Sequence, residues 1–142
     1  MRGGAMRSIL IIGTLTLVGI AGLWFGDSTE VFELLYSSPT TIRIERDTID
    51  LDIVRYGEKK QISFRICNTG EVPLLIRDVR PSCGCTEVRW EKRPVQPGEE
   101  TLIFVTFEPN SLGRFMKSIE VLCNTSSQLL RLNLKGIVLN DR

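Results

Sequence analysis

From residue 41 onward, apolar and polar side chains alternate with a period of two. Residues 41–45 (TIRIE) open the pattern, and residues 48–54 (TIDLDIV) place Ile49, Leu51 and Ile53 on one face. Residues 61–67 (QISFRIC) turn Ile62, Phe64 and Ile66 inward. Residues 101–107 (TLIFVTF) set Leu102 and Phe104 against Ile103, Val105 and Phe107. Further runs at 74–80, 86–90, 115–123 and 129–139 behave alike, and stretches rich in Gly, Pro, Asn and Ser separate them. Side chains in a strand point alternately to opposite faces, so this periodicity predicts strands, and the interruptions predict turns.

About seven or eight short strands with no convincing helix between them predict an all-β fold. The expected architecture is an antiparallel immunoglobulin-like β-sandwich over residues 41–142. The first segment reads differently. Arg2 and Arg7 precede an uncharged run at residues 9–25, and Asp27, Glu30 and Glu33 follow it. Positive before and acidic after is the charge order of a transmembrane helix whose amino end stays in the cytoplasm. At about 1.5 Å per residue the run spans roughly 26 Å, which Ser8 and Gly26 extend toward a hydrocarbon core of roughly 30 Å. Trp24 and Phe25 suit the outer interface. Gly19 and Ala21 satisfy the small-residue rule for cleavage, but they lie deep in the apolar run. Residues 1–26 are therefore a signal anchor or a signal peptide, and residues 27–40 a tether. On either reading the β domain lies on the extracytoplasmic side of the cell membrane, with a single pass through it where the anchor is retained.

Composition narrows the chemistry. The net charge is +1, with no basic stripe, which argues against nucleic acid as a partner. Histidine is absent. Ser-His-Asp triads, Cys-His dyads and His-ligated zinc are thereby excluded, and the expectation is a protein that is not an enzyme and needs no cofactor. The implied partner is another protein or an envelope component. Trp90 is expected as a core plug or rim residue, residues 58–61 as a charged turn, and the Asn-Thr-Ser at 124–126 as a turn that also matches a glycosylation pattern.

Three motifs are distinctive together: Asn68-Thr69-Gly70, Ser82-Cys83-Gly84-Cys85-Thr86 and Pro97-Gly98-Glu99. With the strands around them, over residues 48–138, they resemble the bacterial family called domain of unknown function 1573. That family is similar to immunoglobulin-like modules of the Hydin and major-sperm-protein type. The resemblance implies an extracytoplasmic sandwich and supplies no reaction. The chain departs from the family at Ile49-Asp50-Leu51-Asp52, where a His-Asp-Phe-Gly-like stretch is common, and at Cys67 and Cys123, usually not cysteine.

Four cysteines remain to be placed. Strands reverse at each turn, so Cys67 and Cys123 fall at one pole of the sandwich and Cys83 and Cys85 at the other, roughly 20 Å away at about 3.3 Å per residue. One four-thiolate metal site is therefore not expected. A Cys67–Cys123 bridge is consistent with this count and, by closing a long loop, contributes about 4 kcal/mol. If Ile62, Phe64 and Ile66 point inward, however, Cys67 points outward, which leaves two separate thiols as the other reading. Cys83-Gly84-Cys85 has three readings: a structural bend, with or without a disulfide; a thiol redox pair; or a Cu(I) clamp. On the first reading Gly84 supplies backbone freedom at a crowded corner.

Overall fold

The computed structural model describes residues 38–140; the expected anchor at 1–26 and the tether up to residue 37 lie outside the described residues. Every element among the described residues is a strand: β1 (Ile42–Ile44), β2 (Thr48–Arg55), β3 (Lys60–Asn68), β4 (Ile76–Pro81), β5 (Thr86–Trp90), β6 (Glu100–Phe107), β7 (Gly113–Cys123) and β8 (Leu129–Leu139). They form two four-stranded sheets, ordered β1-β3-β6-β5 and β2-β8-β7-β4. We call the end where β3 and β7 finish the upper pole, and the end holding the β4–β5 crossover the lower pole.

The faces of β3 and β6 are as the alternation predicts. Phe64, Ile66, Ile103, Val105 and Phe107 from the first sheet are buried against Ile119, Val121, Leu132 and Leu134 from the second. Burying each such side chain stabilises the fold by about 1.5–3 kcal/mol relative to leaving it in water. Phe107 stacks on Phe115 with ring centroids 4.6 Å apart. Gly136 makes room for that ring: a Cβ there would meet Phe115 at 2.9 Å.

Two expectations need correction. The sandwich is not wholly antiparallel, because β2 runs parallel to β8. β1 pairs with the end of β3, and then the chain leaves the first sheet and joins the second while keeping its direction. The Asn133 amide, donating to the Asp47 carbonyl at 2.8 Å, marks the change of sheet. The second correction concerns Ile53, which is 61 % exposed, while Val54 is fully buried. A bulge between Asp50 and Ile53, with Asp52 at a φ of +52°, shifts the alternation by one. An inserted residue moves each later side chain to the opposite face.

Two buried asparagines brace the upper pole. Asn68 is wholly buried. Its Nδ2 donates to the carbonyls of Val72 and Val95, both at 2.9 Å. Its Oδ1 accepts from Thr40 Oγ1 at 2.8 Å and from the Gly70 amide at 3.1 Å. Both donors and both acceptor sites of the side-chain amide are thus used. Asn124 does similar work: Nδ2 donates to Ser38 O at 3.1 Å and Pro73 O at 3.0 Å, and Oδ1 accepts from the Leu75 amide at 2.7 Å. The Asn-Thr-Ser at 124–126 is therefore a buried clamp at its first residue, with no side chain presented to solvent for modification. Gly70 lies tight against this network, since a methyl there would run into Thr40 Oγ1 and stand 2.8 Å from the Thr41 nitrogen.

Asn68→Ala removes one of two partners from each of the Val72 and Val95 carbonyls and the Gly70 amide, and takes the Asn68 Oδ1 acceptor from the buried Thr40 hydroxyl. Each of the four hydrogen bonds lost contributes about 0.5–1.5 kcal/mol. The expected loss is about 3 kcal/mol or more in urea unfolding, and a variant within about 1 kcal/mol of the parent would show that the amide does not hold the pole.

Candidate functional site

β4 ends at Pro81 and β5 begins at Thr86, so the crossover at residues 82–85 carries the Cys-Gly-Cys motif between the two sheets at the lower pole. Backbone bonds hold it from both sides. The Ser82 amide donates to Ser118 O at 2.8 Å, and Ser118 N donates back to Ser82 Oγ at 3.1 Å. The Thr86 amide donates to Cys83 O at 3.3 Å, and the Glu108 amide to Cys85 O at 2.9 Å. Cys83 and Cys85 are joined as a disulfide with Cα atoms 5.3 Å apart. Both are half-buried, and Cys85 packs against the core. The buried hydroxyl of Thr86 lies 3.5 Å from Cys83 Sγ and 3.9 Å from Cys85 Sγ.

Bonded to each other, these sulfurs are not the pair of thiolates that a Cu(I) clamp requires. Among the described residues no group of three or more His, Cys, Asp or Glu side chains is disposed to hold a metal ion. Gly84 departs from expectation in another way. Its φ is not in the left-handed region, and a Cβ there would meet nothing within 4 Å. The bend does not need glycine for its backbone, and what the missing side chain leaves is open space beside the bridge.

An open groove of about 360 Å³ adjoins the motif, lined by Gly84, Cys85, Tyr56, Lys59, Thr106 and Glu108, among others. Lys59 pairs with Glu108 across it at 3.2 Å. Arg77, Arg80 and Arg89 are exposed strand residues, and Arg80 donates to Asp78 at 2.6 Å. That bond holds the Asp78 carboxyl below its ordinary range.

The expected Cys67–Cys123 bridge does not form. Both residues carry free thiols at the upper pole. Cys67 sits between Arg43 and Glu100 on the outer face of β3, whereas Cys123 is 98 % buried inside the sandwich (2 % exposed). Strand parity decides this: Ile66 and Asn68 face in, so Cys67 faces out, with a sheet between it and Cys123. Trp90, expected as a plug or rim residue, is half-buried and packs against the core, with Lys92 Nζ 5.7 Å from its ring centroid.

Sequence reasoning missed a second surface feature. On the outer face of the β2-β8-β7 sheet the bulge brings Ile53 beside Ile137, near Met116 (70 % exposed) and Leu139 (47 % exposed). A shallow depression of about 530 Å³ runs there between Ile53, Met116, Arg114 and the Asp50–Lys135 ion pair, which is 3.2 Å long. The Asp52 amide and the Lys135 ammonium hold the Asp50 carboxyl below its ordinary range. The only signal in the sequence is the Asp50-Leu51-Asp52 stretch, because Asp tolerates positive φ.

The family model described as "Protein of unknown function (DUF1573)" matches residues 42–138. No curated protein matches the chain. Among solved structures, a protein of unknown function from Porphyromonas gingivalis W83 superposes with a TM-score of 0.63 at 18 % identity, over 72 % of this chain and 48 % of that one. The chain thus spans about half the length of that relative. PapD-like domain 7 of human CEP192 superposes with a TM-score of 0.57 at 15 % identity, over 73 % and 89 % of the two chains. The VesB protease of Vibrio cholerae gives a TM-score of 0.55 at 16 % identity, over 68 % and 31 %. At these identities the likeness is one of fold.

A bridge across one residue closes a very short loop, worth roughly 1.5 kcal/mol by chain entropy. The Cys83→Ser/Cys85→Ser double variant should therefore keep a β-sheet circular-dichroism spectrum and lose no more than about 2 kcal/mol in urea unfolding. An unfolded product would show that the bridge, not the backbone bonding around it, holds the crossover.

Proposed function

The chain belongs to the DUF1573 family of proteins of unknown function, and from its surface we propose that it is a membrane-tethered, extracytoplasmic protein-binding module whose work is binding rather than turnover. The observation that carries this reading is the depression on the β2-β8-β7 face, where the exposed side chains of Ile53 and Met116 stand out beside Ile137. Large apolar side chains grouped on an outer sheet face and rimmed by polar groups are the mark of an interaction surface. The rim favours a protein as occupant. Arg114 and Lys135 line the depression beside Asp50 and Asp52, so both signs of charge are present, where a nucleic acid would ask for one. Methionine and arginine are also enriched at protein interfaces.

Two features support an extracytoplasmic address. The first is the charge order around residues 9–25. The second is the Cys83–Cys85 bridge, which persists in oxidising compartments.

Site-specific photo-crosslinking in intact cells tests the surface. A photoreactive residue in place of Met116 should give one discrete protein adduct, and the Ile53→Glu substitution should abolish it. The same probe in place of Arg89, on the outer face of the other sheet, should give none. No adduct from position 116, or the same adducts from both positions, would defeat the reading; an adduct of twice the chain mass would make the occupant a second copy.

A further inference from the structure

We propose that the Cys83–Cys85 bridge is a thiol–disulfide exchange site that accepts electrons from an exposed dithiol on a partner protein. This goes beyond binding, and four observations carry it. The bridge adds little to the fold, because hydrogen bonds from Ser82, Thr86, Glu108 and Ser118 already fix the crossover around it. It is reachable: Gly84 and Cys85 line an open groove, and Gly84 sets no side chain beside the sulfurs. Its two sulfurs are not equivalent. Cys85 lines the groove, whereas Cys83 has the closer approach to the buried Thr86 hydroxyl, at 3.5 Å. Lastly, the free thiols of Cys67 and Cys123 lie at the other pole, so the bridge cannot reshuffle within the domain, and its electrons must come from outside.

The step follows from that asymmetry. A partner thiolate attacks Cys85 Sγ from the groove, a new sulfur–sulfur bond forms, and the Cys83–Cys85 bond breaks. The electron pair goes to Cys83 Sγ, where the Thr86 hydroxyl donates a hydrogen bond to the departing thiolate and water supplies its proton. The partner's second thiolate then attacks its own sulfur in the mixed disulfide and releases Cys85 as a thiolate, which is protonated in turn. The partner dithiol ends as a disulfide, and Cys83 and Cys85 end as two thiols, two electrons having passed.

Dithiothreitol is the probe, applied to the full-length chain in detergent without denaturant. Reduction is followed by alkylation and peptide mass mapping. Cys83 and Cys85 should become alkylated together, about tenfold faster than the buried Cys123, with the β-sheet circular-dichroism spectrum unchanged. In the Cys83→Ser chain, oxidised glutathione should cap Cys85 about tenfold faster than it caps Cys83 in the Cys85→Ser chain. Thr86→Val, which removes the hydroxyl and keeps the shape, should slow reduction by dithiothreitol while leaving the spectrum intact. A bridge that resists dithiothreitol until guanidinium unfolds the chain would overturn the proposal. So would equal capping of the two cysteines, or loss of the sheet spectrum on reduction.

Discussion

The fold depends on how the backbone groups of the upper pole are satisfied once they are taken out of water. Three segments far apart in sequence meet there: the incoming residues 38–40, the β3–β4 loop and the strap through Val95. Outside the named strands, an isolated bridge at Leu74–Val95 joins the second to the third, and another at Thr40–Thr125 ties the first to the β7–β8 turn. Buried carbonyls and amides without partners would each cost on the order of 1–3 kcal/mol. The side chains of Asn68 and Asn124 take up that demand, since a primary amide both donates twice and accepts twice. Asn68 also uses its backbone, receiving the Gly98 amide at 2.8 Å and donating to Glu99 O at 3.0 Å. The Asn-Thr-Gly and Pro-Gly-Glu motifs are thus two halves of one joint.

With the upper pole braced by amides, the bridge and the apolar depression lie at the other end and on the adjoining sheet face. The disulfide, the groove beside it, Tyr56 and the apolar cluster around Ile53 all belong to the lower half of the sandwich. Bracing one end with buried polar groups and leaving surface features at the other is a common arrangement for modules that present a site from a rigid scaffold. The bulge at Asp52 links fold to surface directly. One extra residue turns Val54 into the core and Ile53 out of it.

Much of this architecture is legible in the sequence, and the reasons for the failures are specific. All eight strands lie within about two residues of where the alternation places them, and the buried faces of β3 and β6 are those expected, because side-chain parity is local. Parallel pairing of β2 with β8 is not local. It depends on the chain changing sheets at residues 45–47, which the alternation does not record. The roles of Asn68 and Asn124 are also hidden. Asparagine before Thr-Gly or Thr-Ser reads as a turn residue, and its burial depends on distant partners as well as local ones, from Val95 at 27 residues for Asn68 to Ser38 at 86 for Asn124. Of the site, the position of Cys83 and Cys85 at a corner is legible; the pairing is not, since four cysteines admit three connectivities. The parity of residues 62–66 already pointed against a Cys67–Cys123 bond, and the structure follows parity.

Amide hydrogen exchange across the upper pole tests the account most directly. If Asn68 and Asn124 hold that end closed, the loop amides of Gly70, Leu75 and Gly98 exchange as slowly as strand amides in β3 and β7, opening only with the whole domain. Exchange of these three at the rate of unprotected amides such as those at residues 110–112 would contradict it, because the pole would then be opening independently of the sheets it is said to join.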